Sequence, residues 1–247
     1  MVIFMKKLSV FCKYLFLTVA SFISVFPFYW MIVGATNTSK DITQGRMSFG
    51  SNLLINIESL MKEVNILQAL WNSIVIAVLT TFFALIISSM AGYAFHIFQT
   101  KTINRIFGVM ILSMMIPFAA IMIPLFRMMS KWGLLNTRIS VILPSISTAF
   151  LIFFFRQNTM SFPKELIQAA RVDGVREFGI FFRIFMPSMK STYAAAGIIT
   201  FMAAWNNYLW PLIALQTNDK KTLPLIISYL SSAYQPDFGV IMVAIVI

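Results

Sequence analysis

Residues 161–187 read SFPKELIQAARVDGVREFGIFFRIFMP, a charged segment that lies between two long apolar stretches. Its first residues have the pattern of a helix start. Ser161 is a suitable N-cap, Pro163 suits the first turn, and Glu165 favours the positive end of the helix dipole. Gly174 then supplies a left-handed turn. The segment predicts two short helices joined at a glycine, and we call this compact unit the knob.

The second helical piece of the knob is expected from about residue 175 to residue 185, with Pro187 closing it. Ala169 and Ala170 are small enough to let a partner's surface approach the backbone closely. Apolar and charged side chains nearby would hold and orient that partner: Leu166, Ile167, Val172, Arg171, Asp173, Arg176 and Glu177. An ordinary amphipathic connector between two membrane helices is the alternative interpretation.

The composition indicates a membrane as the main solvent. Of 247 residues, 59% are hydrophobic and 11% are charged, whereas soluble domains carry about 25% charged residues. Membrane helices need roughly 17–25 apolar residues. Five uncharged stretches qualify: residues 14–35, 71–95, 106–126, 139–155 and 191–218. Because they are continuously apolar and do not alternate as barrel strands do, the predicted fold is an all-α polytopic membrane protein.

The chain is basic, with a formal net charge of +11. Lys and Arg collect on the cytoplasmic side of membrane proteins, so we place the N-terminus and the knob inside and expect no nucleic-acid partner. Most of the 19 basic residues then lie inside: Lys6, Lys7, Lys13, Lys101, Arg105, Arg156, Lys164, Arg171, Arg176, Arg183 and Lys190. This topology puts Arg127, Lys131 and Arg138 outside, against the rule.

Further elements follow from spacing and proline positions. Apolar residues at helical spacing predict a helix over residues 56–70, either on the membrane surface or packed as part of a loop. Pro117 and Pro124 predict a kink in the third span. A sixth helix is expected to begin at about Asp237. Because only about half a span of chain follows, we expect the sequence to be a truncated form of a longer protein.

No residue set suits catalysis or metal binding. Gly45 and Gly50 have the glycine spacing of a phosphate-binding loop, but no lysine follows, so no ATP site is expected. His96 is the only histidine, which excludes a His-rich metal site or a His-based triad. It is expected at the membrane interface as a polar cap. The single cysteine, Cys12, excludes an internal disulfide.

Polar and aromatic residues in the fifth stretch are candidates for a translocation path. Asn206 and Asn207 are expected in the middle of a helix, where unpaired amides are costly. Trp205, Tyr208 and Trp210 suit stacking on sugar rings. Of the two asparagines, Asn206 is the one expected to face the pore. The alternative is a hydrogen bond between helices.

The knob carries the clearest resemblance to a known family. Its pattern is Gln168-Ala169-Ala170, three residues, Gly174, nine residues, Ile184, one residue, Met186-Pro187. It resembles the coupling loop of permease subunits of binding-protein-dependent ABC importers. In this chain the matching loop covers about residues 159–187. Gln168 replaces the usual Glu, and Met186 replaces Leu. Other segments, in order, are similar to the carbohydrate-uptake permeases of the maltose type: residues 72–73, 91–95, 115–117, 134–137, 205–208 and 222–224.

The resemblance implies a type I ABC importer transmembrane-domain fold, with one permease domain over residues 1–247 containing five full helices and the truncated sixth. It implies a bacterial cell membrane location with a cytoplasmic N-terminus. The implied partners are a second homologous permease, an ATPase dimer that binds the ATP, an extracytoplasmic sugar-binding protein and the lipid bilayer. This chain would have no cofactor of its own.

The same resemblance implies that the ATPase docks on the knob and that the loop over residues 216–236 reaches into the binding protein. The docking residues would be Glu165, Gln168, Ala169, Ala170, Asp173, Gly174 and Pro187. Because Gln168 is uncharged, this position would form no salt bridge to the ATPase. Gln still has the size and the hydrogen-bonding capacity of the usual Glu.

Three other functions stay open on the sequence. One is an ABC permease for another solute, such as an oligopeptide or a phosphate compound. The second is a proton-driven secondary carrier, which would need membrane-embedded carboxylates, although all eight acidic residues lie outside the five stretches. The third is a non-transporting scaffold subunit, which leaves the Gln-Ala-Ala spacing unexplained.

Overall fold

The computed structural model describes the backbone of residues 2–247 and the side chains from residue 9 onward, and all regular secondary structure in that part of the chain is helical. This confirms the predicted all-α class. The chain divides into two compact units. One contains the residues up to Ile66 together with Ile226–Ile247, and the other contains Leu67–Leu225.

The helices, in chain order, are α1 (Val2–Ala35), α2 (Ser39–Thr43), α3 (Leu53–Glu63), α4 (Ile66–Ile97), α5 (Lys101–Ser113), α6 (Phe118–Lys131), α7 (Arg138–Ser145), α8 (Ala149–Thr159), α9 (Lys164–Val172), α10 (Glu177–Ile180), α11 (Met186–Ser188), α12 (Lys190–Trp205), α13 (Leu209–Ala214), α14 (Leu223–Ser231) and α15 (Phe238–Val246). A π-helical turn, Phe181–Phe185, joins α10 to α11. The boundary between the two units falls within α14.

In the first unit, α15 packs closely on α3 and on the end of α1. A Cβ atom placed on Gly239 would lie 2.7 Å from Asn56 Nδ2 and 2.8 Å from Asn37 O. The same Asn56 amide donates to Ala35 O at 2.9 Å and to Asn37 O at 3.0 Å. Because Gly239 has no side chain, the α15 backbone can reach these polar groups.

The predicted start of a helix at Asp237 is confirmed. The Asp237 carboxylate accepts hydrogen bonds from the backbone N–H groups of Gly239 and Val240 and so caps α15. The Ser39 hydroxyl donates to Asp237 Oδ1 at 2.7 Å and accepts from Phe238 N. An acidic N-cap of this kind is a strong local helix-start signal.

The predicted surface helix over residues 56–70 has the wrong bounds. Helix α3 ends at Glu63, and Val64 has extended backbone angles, φ −141° and ψ 150°. Helix α4 then begins at Ile66. The apolar spacing runs on across this junction, so periodicity alone could not show the break.

In the second unit, the long helix α4 covers the predicted span of residues 71–95. Gly92 brings α4 against α8, since a Cβ atom there would lie 2.7 Å from Phe155 Cβ and 2.8 Å from Arg156 N. A buried cluster joins α4, α6, α7, α13 and the start of α14: Ile76, Leu125, Met129, Val141, Trp210, Ala214, Leu215 and Leu225.

The third apolar stretch is not one kinked helix, as predicted, but two helices. Helices α5 and α6 meet at 102° across the break of residues 114–117. Pro117 stands at the N-cap of α6 with φ −65° and ψ 141°. A proline lacks the N–H that continues a helix and pushes the preceding residue out of the α conformation. The helix therefore ends before Pro117, and a new one starts in a different direction.

The fourth stretch is bent by 40° between α7 and α8, and the fifth is broken between α12 and α13. By length and composition, two helices in the described part of the chain can cross a membrane, or up to four if each bent pair is one span. The predicted count of five full spans and a sixth stays a prediction.

Candidate functional site

The first half of the knob folds much as its sequence predicts. Helix α9 carries Glu165 in its first turn, and Asp173 forms its C-cap. Gly174 follows with φ +78°, and Val175 N donates to Ala170 O at 3.0 Å. The bond closes the end of α9 as a glycine-terminated helix does, so the left-handed turn at Gly174 is confirmed.

Two local details of the knob differ from prediction. Ser161 does not cap α9, because its hydroxyl donates to Asn158 O at 2.7 Å and so belongs to the end of α8. The N-cap position of α9 is Pro163, which has no side-chain acceptor.

The second difference is at Pro187, which does not close the helical piece. Pro187 lies inside α11, directly after the π-helical turn, and α12 begins at Lys190. Met186 N donates to Phe181 O, five residues back. A proline ring normally clashes with the carbonyl four residues before it, and the wider π turn gives that carbonyl, from Arg183, room.

Helix α9 has one buried and one exposed face. Ile167 and Ala170 are buried, with Ala170 only 5% exposed. The expectation that Ala170 lies open to a partner is therefore wrong, because the 3.6-residue period turns it inward while Ala169 stays outside. The exposed residues that the sequence proposed for docking are Glu165, Gln168, Ala169, Asp173, Gly174 and Pro187. Their role in docking stays a prediction.

The buried face of α9 belongs to a core that ties the knob to α4. Tyr93, near the end of α4, places its ring 5.5 Å from that of Phe181 and 4.9 Å from that of Phe185. Phe162 packs on Phe185 from the other side at 5.3 Å. The complete cluster is Tyr93, Phe162, Ile167, Ala170, Ile180, Phe181, Phe185 and Met189. Densely packed cores transmit displacement, so the knob and α4 are mechanically joined.

A charged pair closes the edge of this core. Arg171 Nε donates to Glu177 Oε1 at 2.7 Å, and the Tyr93 hydroxyl donates to Glu177 Oε2 at 3.4 Å. The hydrogen bond to Glu177 raises the pKa of Arg171 above its ordinary value. The pair connects α9 with α10, and the expected role of both charges in orienting a partner stays a prediction.

Sequence reasoning missed Tyr93 and Phe178 as parts of this site. A cavity of about 210 Å³ lies between α4 and the knob, lined by Met90, Tyr93, Ala94, Phe98, Glu177, Phe178 and Phe181. Phe178 is exposed beside it. The aromatic-rich run FGIFF at residues 178–182 was the available signal, and it was interpreted only as helix.

The candidate path residues do not lie inside a helix. Trp205 is the last residue of α12, Asn206 is its C-cap, and Tyr208 precedes α13. The Asn206 side-chain amide donates to Met202 O at 2.9 Å. Asn207 lies in the break itself and lines a separate cavity of about 200 Å³. The apolar run gave no sign of the break, because no charged residue or proline stands at it.

Two expectations about single side chains are also corrected. Trp210 is 2% exposed, and its Nε1 donates to Ser140 O at 2.8 Å, so its ring is not available for stacking on a sugar. His96 is buried, and neither ring nitrogen has a hydrogen-bond partner among the described residues, so it is not a polar cap at a surface.

Comparisons with known proteins agree on one family. The sequence profile described as "Binding-protein-dependent transport system inner membrane component" matches residues 85–247. The lactose transport system permease protein LacG of Rhizobium radiobacter is 49% identical over 242 residues, which cover 98% of this chain and 89% of LacG. The arabinooligosaccharides transport system permease protein AraQ of Halalkalibacterium halodurans is 37% identical over 231 residues, covering 90% and 81%.

A solved structure has the same fold. It is described as a bacterial ABC transporter involved in the import of the acidic polysaccharide alginate, and it superposes with a TM-score of 0.86 over 97% of this chain and 91% of that one. At 19% identity the likeness shows the fold alone.

Proposed function

Because the chain belongs to the ABC importer permease family of binding-protein-dependent transport system inner membrane components, we propose that it forms half of the pore of an ATP-driven importer of di- or oligosaccharides. Its relatives LacG and AraQ are named for lactose and arabinooligosaccharides. Lactose is the first substrate to test, since LacG aligns with nearly the whole chain.

The proposal that the knob couples the permease to the ATPase depends on helix α9, which has one exposed and one buried face. Its outer face presents Gln168 and Ala169, and its inner face is packed into the core that contains Tyr93 of α4. A partner that pushes on the outer face displaces a packed unit and not a loose loop. Movement at the knob therefore reaches the end of a long membrane helix.

The chemistry of docking follows from the exposed side chains. Gln168 is neutral, so it offers hydrogen bonds where a Glu would offer a charge. Glu165 and Asp173 are exposed at the two ends of α9 and supply negative charge instead. Val172, 88% exposed, adds an apolar contact. A partner with a shallow apolar cleft fits this surface.

The remaining parts of the importer are proposed from the family. A second homologous permease completes the pore, an ATPase dimer binds ATP and docks on the knob, and an extracytoplasmic protein delivers the sugar. The N-terminus and the knob lie on the cytoplasmic side, in agreement with the basic residues around them. No cofactor is bound by this chain, which acts as a transport subunit and not as an enzyme.

The test is reconstitution of the four components in liposomes, with ATP on the side of the ATPase and radiolabelled lactose on the side of the binding protein. Lactose uptake that requires ATP, the ATPase and the binding protein supports the proposal. Uptake driven by a proton gradient without the ATPase would contradict it and indicate a secondary carrier. Uptake of sn-glycerol 3-phosphate and not of lactose would contradict the sugar assignment alone.

A further inference from the structure

Two helix breaks meet at one cavity in the second unit. The first break lies between α7 and α8, and Ser145 and Thr148 from it line the cavity. The second lies between α12 and α13 and contributes Asn207. Thr80 and Thr200 complete the polar lining of a volume of about 200 Å³. Irregular backbone within a membrane is tolerated where it is buried in protein or lines a hydrated cavity.

One buried polar group at this cavity has no hydrogen-bond partner among the residues that the structure describes. Thr80 is 2% exposed, and its hydroxyl makes no hydrogen bond among the described residues. The Asn207 side chain is half-buried and lines the same cavity. By contrast, the neighbouring Thr81 hydroxyl donates to Ala77 O at 2.7 Å, and Asn206 bonds to its own helix.

An unpartnered buried hydroxyl is costly, on the order of 1–3 kcal/mol. Thr80 is therefore a group whose hydrogen bonds a ligand can supply, and Asn207 presents a half-buried amide to the same cavity. Thr80 also lies near the middle of α4, so the cavity is about halfway along the span. Discontinuous helices at this depth form the substrate sites of many membrane transporters.

We infer that this cavity is a subsite of this chain for one ring of a neutral sugar, with Thr80 and Asn207 as hydrogen-bond partners of its hydroxyl groups. The inference rests on the proposed function. A cavity of about 150 Å³ holds benzene, so 200 Å³ has room for one six-membered ring. Apolar walls from Phe150, Leu151 and Ile199 suit the C–H faces of such a ring.

The lining favours a neutral sugar over an anionic solute. None of the residues that the structure places around the cavity is charged. The start of α8 is near, and helix N-termini attract anions, but the Thr148 hydroxyl already accepts the hydrogen bond of Leu151 N. A phosphate in this position would be desolvated without a counter-charge, which is strongly unfavourable.

The test compares Thr80→Val and Asn207→Ala with the control Thr81→Val in the reconstituted importer, using lactose as the probe. Thr80→Val keeps the shape of the side chain and leaves no new unpaired group. We therefore expect this variant to fold normally. We expect each cavity variant to raise the KM for lactose uptake about two- to tenfold, the effect of losing one hydrogen bond. We expect Thr81→Val to leave that KM unchanged.

The outcomes separate this inference from the proposed function. If the parent importer takes up lactose and neither cavity variant changes the KM, the subsite is wrong while the function stands. If Thr81→Val raises the KM as much as Thr80→Val, the effect does not come from the cavity, and the inference fails. If the parent takes up no lactose under ATP, the proposed function fails and the subsite fails with it.

Discussion

At Gly174 the backbone turns with φ +78°, a left-handed conformation that costs an L-residue roughly 1–2 kcal/mol and a β-branched residue more. Nothing lies within 4 Å of the position that a Cβ atom would take, so the cost of a side chain is in the backbone alone. Gly174→Val should distort the end of α9 and the outer face of the knob. We expect ATP-dependent lactose uptake to fall to near background with normal membrane insertion.

Gly45 provides a matched control for that change. It has φ +75°, is exposed, and has nothing within 4 Å, but it follows α2, far from the knob in sequence. Gly45→Val carries the same backbone strain and should retain most of the uptake. Normal uptake with Gly174→Val, or equal losses with both variants, would contradict the importance of the knob turn.

Gly92 is required for a different reason, which is the close approach of α4 to α8. A Cβ atom at this position would lie 2.7 Å from Phe155 Cβ, and overpacking of this kind typically costs about 1–3 kcal/mol. Gly92→Ala should lower the thermal unfolding midpoint in detergent. Gly108→Ala, in α5 with nothing within 4 Å, is the control and should not lower it. Equal midpoints for both variants would refute the packing argument.

At the scale of the elements, Asn72 joins three parts of the second unit. Its side-chain oxygen accepts from Arg138 Nε at 3.0 Å and Nη2 at 2.8 Å. Its amide donates to Asp219 O and Lys221 O, both at 2.9 Å. The guanidinium of Arg138, which the proposed orientation puts outside, is thus used in an internal contact. Its position reflects packing and not topology.

Asn72→Asp tests this connection. Aspartate keeps the size and the acceptor for Arg138 but removes both donors to the carbonyls of Asp219 and Lys221, each bond worth about 0.5–1.5 kcal/mol. We expect faster hydrogen exchange over residues 216–222, measured by mass spectrometry. Asn158→Asp, which loses a donor only to Phe154 O of its own helix, should leave that segment unchanged. Unchanged exchange in Asn72→Asp would show that the segment is held by other contacts.

The success of the sequence predictions for these elements depended on local signals. Gly174 and Asp237 were correctly identified as a turn and a helix start, because a glycine or an N-cap determines the backbone within one turn. A kink was predicted at Pro117 but not a bend of 102°, and the break at Asn206 was not predicted. Within an uncharged stretch, apolar residues continue through a break without interruption, and the angle between the pieces is set by packing partners distant in sequence.

For the molecule as a whole, the sequence identified the correct family, but not the direction in which each residue points. Ala169 and Ala170 are identical in type and adjacent, yet one is exposed and the other is part of the core. Likewise, Asn206 was expected to face the pore, whereas the structure places Asn207 at a cavity. Facing depends on contacts between helices, which a single sequence does not contain.

The proposed function requires that the exposed face of α9 contacts the ATPase. The most direct measurement is photo-crosslinking in the assembled importer, with a benzophenone maleimide on Ala169→Cys in a Cys12→Ser background that removes the exposed native thiol. Thr43→Cys in α2, also exposed, is the control. We expect an ATPase crosslink from position 169 and none from position 43. Absence of that crosslink from position 169 in an importer that still transports lactose would contradict this requirement.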